Sequence, residues 1–182
     1  MKLNKLKIGI VAAAVLTVAG AGYYLTRPQT LLREYDASRD KAFVLGLFDK
    51  DWYWLSGYAR EDVNTDMFLE QRTPSLDPQY AGKLAIKVLY VGKEPQGFVA
   101  YYPKSFYEGV ILFLDVAEFA RRKHYGEMLL NAAIGDMFKQ GASVVRLVTR
   151  PQNIPAQNLY KKLGFVEYDR NPTYVYFEKK RY

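Results

Sequence analysis

One stretch of the sequence gathers cationic side chains where chemistry on an anionic ligand is possible. It reads FARRKHYGEMLL, Phe119–Leu130, and it places four basic residues directly before a segment of helical periodicity: Arg121, Arg122, Lys123 and His124. The backbone N–H groups in the first turn of a helix have no partner within the helix, so the start of a helix attracts anions. The stretch therefore suits a phosphate-bearing ligand, and the alternative is a solvated basic turn with nothing bound.

The elements on either side decide where this basic stretch lies. Val110–Val116, reading VILFLDV, is nearly all apolar, as in a central strand that is buried on both faces. After the stretch, apolar residues follow the spacing of an amphipathic helix that Gly141 ends. These residues are Leu130, Ala133, Ile134, Met137 and Phe138. Because the strand passes directly into the helix, the basic stretch is predicted to face the carboxyl end of the sheet.

Short strand and helix patterns alternate along the rest of the chain. The patterns before the central strand are a strand at Leu31–Tyr35, a helix at Arg39–Leu47 that continues or breaks into Asp51–Tyr58, a loop at Glu61–Gly82, and a hairpin at Leu84–Pro103 around Gly92–Gly97. Those after the helix are a strand at Ser143–Thr149, a short helix at Ile154–Leu163, and a hairpin that turns at Asp169–Pro172. This order predicts a mixed α/β sheet with helices on its faces.

Composition excludes several classes of protein. The 182 residues are 49% hydrophobic and 15% aromatic, which is enough for one globular domain with a substantial core. The absence of cysteine excludes disulfides and cysteine chemistry, and one histidine, His124, excludes a multi-histidine metal site. Four bases and no acid fall in residues 1–30, which leaves 22 basic against 19 acidic side chains in the remainder. Nucleic-acid binding is therefore disfavoured, because it needs a basic stripe on the folded domain.

The N-terminus is the sharpest break in composition. After MKLNKLK, the run Ile8–Leu25 has no charged residue, and Arg27-Pro28 follows it. Its eighteen residues reach the low end of the roughly 17–25 that a membrane-spanning helix needs. The tripeptide Ala19-Gly20-Ala21 is a small-x-small cleavage pattern of the kind found in signal peptides. Residues 1–28 are predicted to be a membrane anchor, or alternatively a cleaved signal segment, and 29–182 the folded domain.

The basic stretch also resembles a motif of a known family. FLDV-x4-RRKHYGEMLL is similar to the acyl-CoA motif of the GCN5-related N-acetyltransferases. In that motif a strand precedes Arg or Gln, two residues, Gly, one residue, and Gly or Ala at the start of a helix. Arg121 matches the first position and Gly126 the last, whereas His124 stands where the first glycine is usual. Because the loop binds through backbone amides, a non-glycine fits there if its φ stays negative.

A second motif strengthens the resemblance. NIPAQNLYKKLGF, Asn153–Phe165, is similar to the family pattern Asn-x-x-Ala-x-x-Leu-Tyr-x-Lys-x-Gly-Phe at every fixed position: Asn153, Ala156, Leu159, Tyr160, Lys162, Gly164 and Phe165. The two motifs occur in the family's order, and each follows a predicted buried strand. The resemblance, which runs from about Phe98 to Phe177, implies the family's fold, a mostly antiparallel central sheet flanked by helices.

The resemblance implies that the chain transfers an acetyl group from acetyl-CoA to an amine. In the family, the end of the central strand pairs with the pantetheine arm of the donor like an added strand, and here those positions are Leu114, Asp115 and Val116. The loop at the helix start binds the pyrophosphate, and here it comprises Arg121, Arg122, Lys123, His124, Tyr125, Gly126 and Glu127.

The second motif implies the roles of three further residues. Ala156 is small, so the pantetheine arm can run close to the short helix, and Asn153 at the start of that helix belongs to the same donor site. Tyr160 matches the general acid that protonates the leaving thiolate. The alternatives are that Asn153 is only a helix N-cap and that Tyr160 only packs on Phe165.

The acceptor side is less defined by the sequence. An amine is protonated near neutral pH and must lose a proton before it attacks a thioester. Glu108 at the start of the central strand is the first choice for the base, and Asp115 is the second. Five aromatic residues could line an acceptor pocket or belong to the core: Trp52, Tyr53, Trp54, Tyr101 and Tyr102.

The sequence as a whole predicts a membrane-associated acetyltransferase that needs no metal and acts on an unidentified amine. The alternative is a non-catalytic acyl-CoA-binding or interaction module with the same fold. The lysines before Ile8–Leu25 favour a cytoplasmic N-terminus by the positive-inside rule. Acetyl-CoA, however, is a charged cytoplasmic metabolite, so the domain is expected to face the cytoplasm, with export after signal cleavage as the alternative. The oligomeric state does not follow from the sequence.

Overall fold

The structure is a computed structural model that describes residues 28–55, 65–72 and 84–181. Its centre is a seven-stranded sheet. Its strands are β1 (Thr30–Glu34), β2 (Ala85–Val91), β3 (Glu94–Pro103), β4 (Glu108–Val116), β5 (Val144–Thr149), β6 (Val166–Arg170) and β7 (Val175–Lys180). Their order across the sheet is β1-β2-β3-β4-β5-β7-β6. β4 and β5 are parallel, and the other registered pairs are antiparallel. The predicted mixed sheet is confirmed.

In the described part of the chain, four α-helices cover both faces of this sheet: α1 (Ala37–Leu55), α2 (Thr65–Leu69), α3 (Tyr125–Lys139) and α4 (Ile154–Lys162). On one face, Phe48 of α1 and Phe68 of α2 pack with Phe98 in a buried cluster. On the other face, α3 packs mainly against β2, β3 and β4, and Tyr160 of α4 packs against Phe177 of β7. Each fully buried large apolar side chain contributes about 1.5–3 kcal/mol, so the two clusters supply most of the driving force.

Most predicted elements before β4 agree with the structure. The helix predicted from Arg39 continues without a break to Leu55, and its predicted end at Tyr58 lies outside the described residues, as does most of the predicted loop at Glu61–Gly82. The hairpin at Leu84–Pro103 is confirmed, but its turn is tighter than predicted. Gly92 takes a positive φ of 63°, which closes a two-residue turn, and β3 already begins at Glu94.

The elements after β4 also follow the sequence pattern. The buried residues of α3 include Leu130, Ala133, Ile134 and Met137, as the periodicity predicts. The helix ends before Gly141, whose φ of +106° turns the chain toward β5. α4 lies where it is predicted, and the final hairpin is present. Its turn, Asn171–Tyr174, begins two residues later than predicted, because Asp169 and Arg170 still pair with β7.

β4 is central in the sheet, but the prediction that it is buried on both faces is only partly right. Glu108, Gly109, Ile111 and Asp115 are buried, whereas the remaining residues are half-buried. The reason is that β4 and β5 pair through only three residues of β4, Glu108–Val110, in the part of the chain that the structure describes. Beyond Val110 the two strands have no registered pair, so the edge Leu112–Val116 is open toward β5.

The predicted membrane segment, Ile8–Leu25, lies outside the described residues. Within residues 28–55, 65–72 and 84–181, no helix has the length and apolar character needed to cross a membrane. The chain divides into two units, Met1–Thr30 and Leu31–Tyr182, and α1 to α4 belong to the second.

Candidate functional site

The basic stretch forms the loop between β4 and α3, which we call the 121–126 loop. A short 3-10 turn, Glu118–Ala120, leads into it, and His124 is the N-cap of α3. Arg122 and His124 have φ values of 66° and 62°, which lie in the left-handed region. The condition under which a non-glycine fits there, a negative φ, is therefore not met at His124. The chain needs a left-handed residue to enter α3, which costs a non-glycine roughly 1–2 kcal/mol.

The three cations of the loop have different surroundings. Arg122 and Lys123 are exposed beside the first turn of α3. Arg121 instead turns back toward the sheet, where its Nη2 lies 2.6 Å from Asp51 Oδ2 and 3.6 Å from Asp115 Oδ1. The positive charge that faces solvent at the start of α3 therefore comes from Arg122 and Lys123 rather than from Arg121.

Asp115 lies at the carboxyl end of β4 on the face that α1 covers. Its side chain is 8% exposed, and its Oδ1 accepts a hydrogen bond from the Val116 N–H at 2.7 Å. Its Oδ2 has no hydrogen-bond partner among the described residues. Burial first, and then the negative charge of Asp51, raises the pKa of Asp115 to about 7, while the Val116 N–H and Arg121 act in the opposite direction.

The second motif forms α4 and its surroundings. Asn153 caps the helix, because its side chain accepts the Ala156 N–H at 3.3 Å. Tyr160 is 7% exposed and packs between Phe165 and Phe177, with ring centroids 6.1 and 5.7 Å away. Burial raises the pKa of Tyr160, so its phenol stays protonated through the physiological range. The packing role is thus present, and the protonated phenol is also compatible with a proton donor.

The two motifs meet where α3 and α4 lie side by side. A Cβ atom on Gly126 would be 3.1 Å from Leu159 Cδ2, so the absence of a side chain there lets the helices approach closely. Glu127 in the first turn of α3 accepts a hydrogen bond from Lys162 Nζ at 2.6 Å. It also lies 3.2 Å from His124 Nδ1. The structure therefore brings residues of both motifs together beside the open edge of β4.

Glu108, the first choice for a base, lies at the opposite end of β4. Its carboxylate is 3.3 Å from Lys104 Nζ and 3.4 Å from Arg146 Nη1, and its side chain is almost fully buried. Glu108 also belongs to the part of β4 that pairs with β5. Seven residues separate it from Asp115, which corresponds to about 23 Å along a strand. The structure does not bring Glu108 to the 121–126 loop.

The five aromatic residues proposed for an acceptor pocket do not gather in one place. Tyr101 is buried, and its hydroxyl donates to Asp136 Oδ2 of α3 at 2.6 Å, whereas Tyr102 is buried in the cluster under α1. The other three stand together at the end of α1 with edge-to-face contacts, and Tyr53 and Trp54 are exposed: Trp52, Tyr53 and Trp54. Only this second group is accessible to a ligand.

Two residues that contact the site were missed by the sequence reasoning. Asp51 of α1 pairs with Arg121 although 70 positions separate them, and no local pattern signals such a contact. Arg150 follows β5 directly, and its Nε donates to the Tyr53 carbonyl at 2.5 Å while its guanidinium stacks on the Tyr53 ring. A cation directly after a predicted strand was a detectable signal, because strand ends collect at one edge of a sheet.

Comparison with known proteins adds a family and several similar folds. Residues 47–165 match the sequence model of the Acetyltransferase (GNAT) family. The chain matches no curated protein sequence. Among solved structures it resembles Ard1 from Thermoplasma volcanium, with 23% identity and a TM-score of 0.62 over 83% of this chain and 97% of the other.

Two further solved structures show the same likeness. PaiA N-acetyltransferase from Thermoplasma acidophilum, in complex with coenzyme A, has 18% identity and a TM-score of 0.63 over 84% of this chain and 99% of the other. The ribosomal-protein-S18-alanine N-acetyltransferase from Escherichia coli has 15% identity and a TM-score of 0.61 over 84% and 94%. At these identities the likeness is one of fold.

Proposed function

Because the chain belongs to the GNAT acetyltransferase family, as its two motifs predict and the match over residues 47–165 confirms, we propose that it transfers an acetyl group from acetyl-CoA to an amine. The observation that carries this proposal is the open edge Leu112–Val116 of β4, which leads directly into the 121–126 loop and the start of α3. An extended ligand with amide groups at one end and phosphates at the other matches that arrangement.

The donor binds along this edge in our proposal. The pantetheine arm, whose amides resemble a peptide backbone, pairs with Leu114–Val116 as an added strand. The pyrophosphate lies at the start of α3, where unpaired N–H groups attract anions and Arg122 and Lys123 add positive charge. The solved relative with bound coenzyme A supports the same class of ligand. Asn153 and Ala156 on α4 border the thioester end of the arm.

The transfer itself needs one proton to leave and one to arrive. The acceptor ammonium loses a proton, and its nitrogen attacks the carbonyl carbon of the thioester. The carbon–sulfur bond then breaks, and the thiolate takes a proton from the Tyr160 hydroxyl. The nitrogen gives up its second proton, which restores the Tyr160 hydroxyl, so the products are an amide, a free thiol and the one proton taken by the base. Holding the thioester beside a bound amine supplies much of the rate, because the reaction becomes effectively intramolecular. The exposed residues Tyr53 and Trp54, together with the half-buried Trp52, are proposed to border the acceptor.

The proton of the acceptor ammonium is taken up by a base. Glu108 is the first choice, and since it lies on the paired side of β4 and contacts Lys104 and Arg146, we propose that it acts through water. A Glu108→Gln variant tests this role through the pH dependence of kcat. If the variant keeps the wild-type loss of rate at low pH, Glu108 does not accept the proton. Asp115, the second choice, is considered in the next subsection.

The activity is tested with the full chain in detergent micelles. Titration with acetyl-CoA measures donor binding, and release of free thiol is then followed without acceptor and with a panel of amines. We expect binding by the chain alone and thiol release that depends on an amine. Binding without turnover on any amine would favour a non-catalytic acyl-CoA module with the same fold, and absence of binding would contradict both.

We also propose that Ile8–Leu25 anchors the protein in a membrane and that residues 29–182 face the cytoplasm. The apolar length of the run supports the anchor. The need for acetyl-CoA supports the orientation, because this charged donor does not cross a bilayer unaided. Cleavage of residues 1–28 followed by export is the alternative, and an experiment that separates the two is given in the Discussion.

A further inference from the structure

Both backbone groups of Val116 face the open edge of β4. The next residue, Ala117, donates its N–H to the Gln96 carbonyl beside β3 at 2.8 Å. Successive residues of a strand direct their backbone groups to opposite edges, so the N–H and C=O of Val116 point away from β3. That side is the one on which β5 no longer pairs with β4. In the proposed function, these are groups that the donor would use.

The chain itself already occupies both groups. Asp115 Oδ1 accepts the Val116 N–H at 2.7 Å, and Arg121 Nε donates to the Val116 carbonyl at 2.9 Å. An added strand would make the same two contacts with this residue: a carbonyl would accept the Val116 N–H, and an N–H would donate to the Val116 carbonyl. We call Asp115 and Arg121 in these contacts the edge cap. Because an N–H has one proton to donate, Asp115 and a pantetheine carbonyl cannot both accept it from Val116. The Val116 carbonyl has two lone pairs, so Arg121 competes with the donor there less strictly.

We propose that the edge cap formed by Asp115 and Arg121 competes with the donor for Val116 and so determines the affinity for acetyl-CoA. This inference rests on the proposed function, since it assumes that the donor pairs with β4. It assigns Asp115 to donor binding rather than to proton transfer. Asp115 and Arg121 act on the donor through Val116, so they are positioning residues.

The contacts around the edge cap show that Asp115 and Arg121 lose different amounts of free energy when they leave Val116. Arg121 has a second partner, Asp51, at 2.6 Å, so its guanidinium stays paired when it leaves the Val116 carbonyl. Asp115 has no second hydrogen bond of this kind, because its Oδ2 lacks a partner among the described residues and Arg121 Nη2 is 3.6 Å from its Oδ1. Its side chain is only 8% exposed, so water does not readily replace the lost contact. Breaking its bond to Val116 leaves a buried carboxyl without a donor. Asp115 is therefore the half that opposes the donor most.

The test compares acetyl-CoA binding by the full wild-type chain and by Asp115→Ala, using titration calorimetry in detergent micelles. At pH 8, above the pKa of about 7 for Asp115, we expect the variant to bind roughly ten-fold more tightly, because a hydrogen bond to a charged group is worth about one factor of ten or more. Asp169→Ala is the matched control. Asp169 Oδ1 accepts the N–H of the following residue, Arg170, at the same 2.7 Å, but on β6, so its loss should leave donor affinity unchanged.

Hydrogen exchange at the Val116 amide adds a measurement that a general effect on stability would not reproduce. We expect this amide to be protected in the ligand-free wild type, unprotected in ligand-free Asp115→Ala, and protected again when the variant binds acetyl-CoA. If the variant does not fold, hydrogen exchange at the Val116 amide of the ligand-free wild type still tests whether the edge cap exists. Rapid exchange of Val116 in the folded, ligand-free wild type would show that no edge cap exists.

The remaining outcomes separate this inference from the proposed function. Wild-type binding with equal or weaker binding by Asp115→Ala would overturn the edge cap and leave the proposed function intact. Unchanged affinity with a large fall in turnover would overturn it as well and would assign Asp115 to proton transfer. Failure of every variant and of the wild type to bind acetyl-CoA would overturn the proposed function, and the edge cap with it.

Discussion

At the scale of single residues, the hydroxyl of Tyr160 can be removed with little change in packing. Its ring lies between Phe165 and Phe177, so Tyr160→Phe keeps the apolar contacts. We expect the variant to bind acetyl-CoA as the wild type does while turnover falls about ten- to ten-thousand-fold, the range for one acid–base group. Steady-state kinetics and calorimetry measure the two effects. Tyr176→Phe serves as a control, and unchanged turnover in Tyr160→Phe would remove Tyr160 from the mechanism.

Asp115 makes the stability of the fold depend on pH. Its pKa is raised from 3.8 to about 7 in the folded state, so the folded chain holds a proton that the unfolded chain loses. Folding stability therefore decreases as pH rises from about 4 to 7 and changes no further above that range. Asp115→Asn has no carboxyl at this position, so its stability should not show this decrease with pH. The free energy of unfolding of the variant minus that of the wild type is expected to increase by on the order of 3 kcal/mol between pH 4 and pH 8.

Chemical unfolding of both proteins at pH 4, 6 and 8 measures this effect. Asp169→Asn is the control, because Asp169 is exposed and its Oδ1 accepts the N–H of the following residue as that of Asp115 does. A constant difference between Asp115→Asn and the wild type over the whole range would contradict the buried, proton-holding carboxyl. The same result would weaken the account of Asp115 as the half of the edge cap with no second partner.

Residue roles were predictable from the sequence where they depend on neighbours along the chain. Asn153 was expected as an N-cap because a capping side chain acts on a backbone group three positions ahead, and the structure bears this out. The partners of Arg121 were not predictable, because Asp51 reaches it across the fold from α1. The same holds for the position of Glu108 relative to the loop, which depends on the length of β4.

At the scale of elements, the entry into α3 depends on a left-handed residue at position 124. We expect His124→Gly to keep acetyl-CoA affinity and to change stability by no more than about 1 kcal/mol, because relief of strain is offset by the greater freedom of the unfolded chain. Glu127 retains Lys162 in this variant. His124→Val should weaken binding, because a β-branched residue avoids positive φ. Equal affinities for the two variants would show that this backbone conformation is not needed.

The first turn of α3 offers a second test of the anion site. Gly126→Asp places a negative charge at the helix start and a side chain against Leu159, whose Cδ2 would be 3.1 Å from the new Cβ. We expect acetyl-CoA affinity to fall at least about ten-fold, since charge repulsion and steric contact act together. Gly135→Asp, on the same helix but with open space around its Cβ, is the matched control. Equal affinities would place the phosphates elsewhere.

The types and approximate bounds of the elements followed from periodicity, but their exposure did not. The run Val110–Val116 was read as a strand buried on both faces because nearly all of its residues are apolar. The structure leaves several of them half-buried, since β5 diverges from β4 after Val110. Apolar composition indicates that a surface is buried in the functional state of the protein. It does not distinguish burial by another strand from burial by a bound ligand.

At the scale of the whole molecule, residues 1–28 are expected to decide where the protein resides. The full chain should remain with the membrane fraction after an alkaline wash, and deletion of residues 1–28 should release it, because a run of eighteen uncharged residues is long enough to span a bilayer. Protease added outside sealed cells should leave residues 29–182 uncut. A soluble full-length chain, or digestion from outside, would contradict the anchor or the cytoplasmic orientation respectively.

The order of strands was not predictable from periodicity alone. Each hairpin was visible as two strand patterns around a turn, but nothing local shows that β7 lies between β5 and β6. The resemblance to the family implies that most of the sheet is antiparallel. That resemblance rests on motifs in two short stretches of the sequence. The resemblance thus supplied the long-range part of the fold, and the residue pattern supplied the short-range part.

The limited pairing of β4 with β5 has a consequence for how the chain folds. Every strand from β1 to β4 lies on one side of this junction and every later strand on the other, so each side of the sheet is made from one continuous part of the chain. Pairs within a hairpin need only a short loop to close, whereas Glu108 and Val144 must meet across an intervening helix. The junction is therefore expected to form late. Acetyl-CoA added to refolding protein should speed none of the early steps and should act only after the two parts have joined.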